Sequence, residues 1–161
     1  MPVLGIFVLV AIIVIATNAL KRGGKKKLPY TKARFLSEAE LPFFGVLEHL
    51  IDPTQFRIFA KVRLADLLNV ESGLDNSAHT TAQNKINSKH VDFVLCTTST
   101  IEPVCVIELD DKSHNRPDRK KRDAFVDEAL NSAGLPIVHI RNAKNYKTDV
   151  LVQQIETALN S

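Results

Sequence analysis

Two short apolar runs constrain this chain more than any other feature: Val91-Asp92-Phe93-Val94-Leu95-Cys96 and Val104-Cys105-Val106-Ile107-Glu108-Leu109-Asp110-Asp111. Both are rich in Val and Ile and have the length of a strand. The segment between them, 97–103, is polar and ends in Pro103, as a hairpin loop does. Pairing symmetric about Thr100 sets Asp92 opposite Glu108, and facing residues in such a pair have Cβ atoms roughly 4.5–5.5 Å apart. Asp110, two residues on, shares the face of Glu108. Three carboxylates then converge at one end of a hairpin, and like charges so close need a cation. Mg²⁺ fits that requirement, since it is held by one or two carboxylates, keeps several waters and takes substrate phosphate.

The elements around the hairpin follow from period and punctuation. Ser37-Glu38-Ala39-Glu40 has the form of a capping box, with Leu36 and Leu41 placed as a hydrophobic staple. The helix it starts is expected to reach Leu50, burying Phe43, Phe44, Leu47 and Leu50, and to stop at Asp52-Pro53. Residues 56–64 alternate as a strand, with Phe56, Ile58, Ala60 and Val62 against Arg57, Lys61 and Arg63. Residues 64–70 suggest a short helix, 71–80 have loop composition, and 81–87 suggest another short helix. Beyond the hairpin, residues 118–133 are expected to be helical with Phe125, Ala129 and Ala133 on one stripe and Gly134 closing the end. Residues 135–141 read as a strand, and 147–159 as a closing helix carrying Val150, Leu151, Ile155 and Leu159. A strand, helix and strand over 104–141 form a crossover unit, so those two strands should be parallel within a mixed sheet flanked by helices.

The first twenty residues carry no charged side chain, and residues 3–20 are almost continuously apolar. That length suffices for a bilayer span, which takes about 17–25 residues. The basic residues Lys21, Arg22, Lys25, Lys26 and Lys27 follow the apolar run rather than precede it, unlike a cleaved secretory signal. By the positive-inside rule the C-terminal side stays in the cytoplasm. The domain reading is therefore a transmembrane anchor over 1–20, a basic juxtamembrane linker over 21–30 and an α/β domain over 31–161. The alternative for the apolar run is a buried helix of the globular part.

The anchor changes how the charge is read. The chain carries +3, the five linker cations supply +5, and the sequence from Leu28 onward is left at −2. An overall basic balance is thus no sign of a nucleic-acid-binding domain. One local basic stretch remains, made of Lys112, Arg116, Arg119, Lys120, Lys121 and Arg122. Cys96 and Cys105 sit inside apolar strands and read as small, reduced core residues. His49, His79, His90, His114 and His139 are scattered, with no structural-zinc spacing.

This order of elements, with acids on the second and third strands, resembles the restriction-endonuclease-like superfamily, whose signature is written PD-(D/E)XK. Within it the chain resembles a bacterial family named domain of unknown function 2726. The pieces that carry the resemblance are Lys61-Val62, His90-Val91-Asp92-Phe93-Val94, Ile107-Glu108-Leu109-Asp110-Asp111-Lys112-Ser113-His114, Arg122-Asp123-Ala124-Phe125 and Ala133-Gly134-Leu135-Pro136. The resemblance runs from about Leu28 to the C-terminus. It implies a restriction-endonuclease-like mixed sheet flanked by helices, preceded here by one N-terminal transmembrane helix.

The resemblance also implies roles. Asp92 and Glu108 are the metal ligands, with the Leu109 carbonyl as a further oxygen. The lysine expected two residues after the second acid is missing, and Asp110 stands in its place. That lysine positions the attacking water and stabilises charge on the phosphate. Lys112 or His114 are its substitutes, and here the chain is similar to the very-short-patch repair endonucleases, in which an acid and a histidine share the work. His114 then acts as general acid or base, since histidine titrates near neutral pH. Glu40 is a possible accessory acid from the first helix, and Arg122, Arg119 and Lys120 are candidate phosphate contacts.

The function expected is a Mg²⁺- or Mn²⁺-dependent nuclease acting on DNA or RNA, held at the bacterial inner membrane by one span with its C-terminal domain in the cytoplasm. The expected partners are nucleic acid and the lipid bilayer. The alternatives are a catalytically degenerate module of the same fold that binds nucleic acid or protein, and a tethered scaffold that binds no nucleic acid.

Overall fold

The computed structural model describes residues 28–110 and 117–160. The expected anchor over 1–20 and most of the linker over 21–30 lie outside the described residues. Among those that are described, no helix is long and apolar enough to cross a membrane. The chain divides into two compact units, Met1–Phe35 and Leu36–Ser161. Residues 28–35 of the first unit are all exposed.

The second unit is a mixed α/β fold. Its elements in order are α1 (Glu40–Leu50), β1 (Phe56–Arg63), α2 (Leu64–Leu67), α3 (Asn76–Asn87), β2 (His90–Thr97), β3 (Pro103–Asp110), α4 (Pro117–Ser132), β4 (Ile137–Arg141) and α5 (Thr148–Leu159). The strands form one sheet in the order β1-β2-β3-β4. β1, β2 and β3 are antiparallel neighbours, and β4 joins β3 in parallel, as a crossover through α4 requires.

Alternation along the strands feeds two cores. Phe93 and Leu95 of β2, with Cys105, Ile107 and Leu109 of β3, join Phe43 and Leu47 of α1 and Leu151 and Ile155 of α5. Val94 and Cys96 of β2 and Val106 of β3 join Leu64, Ile86 of α3, and Val126 and Leu130 of α4. α1 and α5 thus cover one face of the sheet, and α2, α3 and α4 the other. Aromatic rings lock α1 in place: Phe43 lies edge-on to Phe93 at 5.7 Å between centroids, and Phe44 stacks on Phe93 at 6.0 Å.

The helix ends obey the local chemistry that the sequence displays. Ser37 and Glu40 exchange capping-box hydrogen bonds, with the Ser37 N–H donating to Glu40 Oε2 at 2.9 Å and the Glu40 N–H donating to Ser37 Oγ at 3.2 Å. The staple does not form, because Leu41 is exposed while Leu36 packs on the core. At the end of α4, Gly134 takes φ +71°. The Leu135 N–H reaches the Leu130 carbonyl and the Gly134 N–H reaches that of Asn131, a Schellman closure.

Two expectations need correction. Residues 71–80 are not all loop, since α3 begins at Asn76, capped by Asp75, whose carboxylate accepts the Ala78 N–H at 2.8 Å. The buried stripe of α4 is Val126 and Leu130; Phe125 and Ala129 are only half-buried, and Ala133 is exposed.

The hairpin register places the chemistry. Phe93 pairs with Ile107 and Val94 with Val106, a register symmetric about Thr100 that, continued by one residue, sets Asp92 opposite Glu108. A bulge at Leu95/Cys96 then shifts the ladder by one toward the loop.

Candidate functional site

Lys61 of β1 has φ +57°, a left-handed backbone rare for a residue with a side chain. Its neighbours pair as Ala60↔Phe93 and Val62↔Val91, which brackets Lys61 against Asp92. Ala60 and Phe93 belong to the core under α1, whereas Val62 and Val91 belong to the core under α4. Both strands therefore change face at this one pair. The polar residues at the crossing, which strict alternation would direct to one side, are set at the edge between the two cores.

Asp92 is firmly held there. Its Oδ2 accepts the N–H of Leu109 at 3.0 Å, and its Oδ1 lies 3.5 Å from Lys61 Nζ. Lys61 Nζ also donates to Glu40 Oε1 at 2.5 Å. The ammonium thus sits between two carboxylates from different elements. Glu40 is the buried charged side chain of α1, 8 % exposed. Burial works to raise its pKa, but the hydrogen bonds from Lys61 and Ser37 outweigh burial and leave it below the ordinary value. Burial likewise opposes charge on Lys61, yet the two carboxylates hold its pKa above the usual lysine value.

Glu108 and Asp110 take part in a second group. They line a cavity of about 20 Å³ together with His90, Asp123, Asp127 and His139. The parallel register sets Glu108 beside His139 and Asp110 beside Arg141. The His139 imidazole bridges two carboxylates, with Nδ1 3.1 Å from Asp110 Oδ1 and Nε2 3.0 Å from Asp127 Oδ1. Burial lowers the His139 pKa, but the hydrogen bonds and charges of Asp110 and Asp127 prevail and raise it.

The three carboxylates expected to converge do not form one cluster. Glu108 and Asp110 line the cavity beside α4, and Asp92, opposite Glu108 in the extended register, is bonded to the Leu109 N–H and to Lys61, which links it to Glu40. Among the described residues, no group of three or more His, Cys, Asp or Glu side chains is arranged to hold a metal ion. Hard carboxylate oxygens suit Mg²⁺ and Mn²⁺, and Mg²⁺ needs only one or two of them, so Asp92 and Glu108, opposite each other in the extended register, are the donors that would hold such a cation.

Lys112 and His114 lie outside the described residues. Arg119, Lys120 and Arg122 fall in α4, and their side chains also lie outside the described part. Sequence reasoning did not assign roles to Lys61, His90, Asp123, Asp127 or His139. The signal for Lys61 was its polar position opposite Asp92, visible only once β1 is known to pair with β2. The signal for His139 was its place in a strand parallel to the one bearing Glu108 and Asp110.

The family model described as protein of unknown function (DUF2726) matches residues 32–159. An uncharacterized protein of Haemophilus influenzae (strain ATCC 51907 / DSM 11121 / KW20 / Rd) is 30% identical over 119 residues, which cover 73% of this chain and 57% of that protein. The matched part thus spans little more than half the length of this relative. No solved structure matches the chain.

Proposed function

The chain belongs to the DUF2726 family of proteins of unknown function, and from that premise we propose that its α/β unit is a PD-(D/E)XK-type phosphodiesterase dependent on Mg²⁺ or Mn²⁺ and acting on DNA or RNA. The observation that carries this reading is the Asp92 carboxylate, fixed by the Leu109 N–H at 3.0 Å on a strand whose register sets it opposite Glu108. An acid pinned to its neighbour strand across from a second acid is the arrangement that a two-carboxylate cation site needs.

Asp92 and Glu108 would hold the metal. When bound, the cation activates water and neutralises charge on the phosphorus. The remaining roles belong to the chain. The Leu109 N–H keeps Asp92 in one orientation. Asp110, in the place of the signature lysine, orients His139 beside Glu108. His114 serves as general acid or base and Lys112 as a supporting charge. Arg122, Arg119 and Lys120 on α4 contact the nucleic-acid backbone, and Glu40 supports the site through Lys61. Residues 1–20 anchor this activity to the inner membrane, with the catalytic unit in the cytoplasm.

A second reading is favoured by Asp110 itself, because an acid where the signature has a lysine opposes an anionic substrate. In that reading the unit is a degenerate module that binds nucleic acid or protein without cutting. One assay separates the two. The full chain is offered single-stranded, duplex and mismatched DNA and RNA at low salt with Mn²⁺. The nuclease reading expects cleavage that falls by orders of magnitude in Asp92→Asn, Glu108→Gln and His114→Ala while binding persists. Binding without cleavage of any substrate gives the site to the module reading, and neither binding nor cleavage leaves a scaffold. Membrane fractionation with protease protection of the C-terminus tests the anchor, and a C-terminus accessible from outside the cell would overturn the cytoplasmic assignment.

A further inference from the structure

We infer that Lys61 is an internal counter-ion that competes with a divalent cation for Asp92. This rests on the reading of Asp92 as a metal ligand.

Three observations lead here. The ammonium lies against both Glu40 Oε1 at 2.5 Å and Asp92 Oδ1 at 3.5 Å, so it neutralises two carboxylates that would otherwise repel each other. The two contacts are unequal: Glu40 holds the ammonium closely and Asp92 only loosely. Asp92 is thus the carboxylate from which a competing cation would displace the ammonium, and Glu40 the one that would retain it. Finally, the lysine is held by a backbone at φ +57°, a conformation that is costly for a residue with a side chain and persists only where the surroundings enforce it.

The sequence supplies the complement. Asp110 stands where a cation would serve the phosphate from β3, so the site lacks a positive charge on that strand. Lys61 brings one from β1, on the opposite side of β2. Its side chain is 23% exposed and retains access to solvent.

The test is calorimetric titration of the full chain with Mn²⁺ alone, without nucleic acid. Lys61→Gln should bind Mn²⁺ at least about fivefold more tightly than the parent, the factor for two unit charges about 4 Å apart in water, which the double charge of Mn²⁺ increases. Lys61→Arg, which keeps the charge, should stay near the parent. Lys61→Gln leaves Glu40 buried without its cation, so where the single variant fails to fold the double variant Glu40→Gln/Lys61→Gln is compared with Glu40→Gln as its parent, which isolates the lysine charge. The glutamine retains the capping box. Tight binding in the Gln variants with none detected in the parent also supports the inference. Equal affinity in parent and Gln variants overturns it and leaves the metal reading standing. Weaker binding in the Gln variants overturns it as well, because Lys61 would then be shaping the site. No binding in any variant overturns both.

Discussion

Asp110 of β3 and His139 of β4 meet at 3.1 Å, and the same imidazole reaches Asp127 of α4 at 3.0 Å. One side chain therefore ties two parallel strands to the helix that crosses between them. Glu108, His90 and Asp123 line the same cavity, so the imidazole faces three further titratable groups as well as its two partners. The net effect favours the imidazolium, and the His139 pKa is raised from 6.5.

A pKa raised by folding stabilises the native state below the unfolded value and ceases to do so as pH rises through the folded value. The contribution of His139 should accordingly be fully present below about pH 6.5 and decline above it. Denaturant midpoints measured from pH 5.5 to 8.5 should fall across that window, and His139→Gln should flatten the slope. A profile that His139→Gln leaves unchanged would show that the imidazole is not charged in the native protein.

The pair Asp92 and Glu108 gives a metal prediction that needs no substrate. A ligand that binds only the folded state raises its stability in proportion to the logarithm of its concentration over Kd. Millimolar Mg²⁺ or Mn²⁺ should raise the thermal midpoint of the parent, and Asp92→Asn or Glu108→Gln should abolish the rise. Asp92→Asn should lower metal-free stability, because it removes the charge that Lys61 and the Leu109 N–H hold. A melting curve of the parent that is identical with and without cation would count against the cation site.

Much of this arrangement was legible in the chain. The opposition of Asp92 and Glu108 followed from two apolar runs of strand length and a polar loop, since antiparallel pairing about a known centre fixes who faces whom. The capping box at Ser37 and the glycine closure at Gly134 were equally local. What the sequence hid was non-local. Lys61 and Asp92 are thirty-one residues apart, and nothing in either segment announces that the sheet changes face between them. Asp110 and His139 meet only because β4 lies parallel to β3 in one particular register. The start of α3 was hidden for another reason: Asn76 to Thr81 is polar apart from Ala78, so no apolar period marks it, and the Asp75 cap is a single residue among many polar ones.

Burial also sets the reactivity of the cysteines. Cys105 is fully buried in β3, and burial pushes its thiol up to about 11. Thiolate, the reactive form, is therefore scarce at neutral pH. A disulfide-exchange reagent at pH 7.5 should leave Cys105 unmodified in the native protein and label it after denaturation. Rapid labelling under native conditions would mean that the core under α1 opens readily.

The hairpin loop offers a stability gain away from the candidate site. Ile101 has φ +57° and is 48% exposed, so a β-branched side chain is held in a left-handed backbone with little burial in return. The loop itself is well bonded: the Thr97 N–H donates to the Glu102 carbonyl at 2.9 Å, and the Ile101 N–H donates to the Thr97 carbonyl at 3.1 Å. These bonds impose the conformation on Ile101. Asparagine tolerates the same backbone far better and keeps the N–H. Ile101→Asn should therefore stabilise the protein by about 1 kcal/mol, the usual cost of a left-handed residue, and raise the thermal midpoint by a few degrees. Ile101→Val, which keeps the branching, should gain nothing. Equal midpoints for Ile101→Asn and the parent would show that the exposed part of Ile101 contributes more to the folded state than its backbone costs.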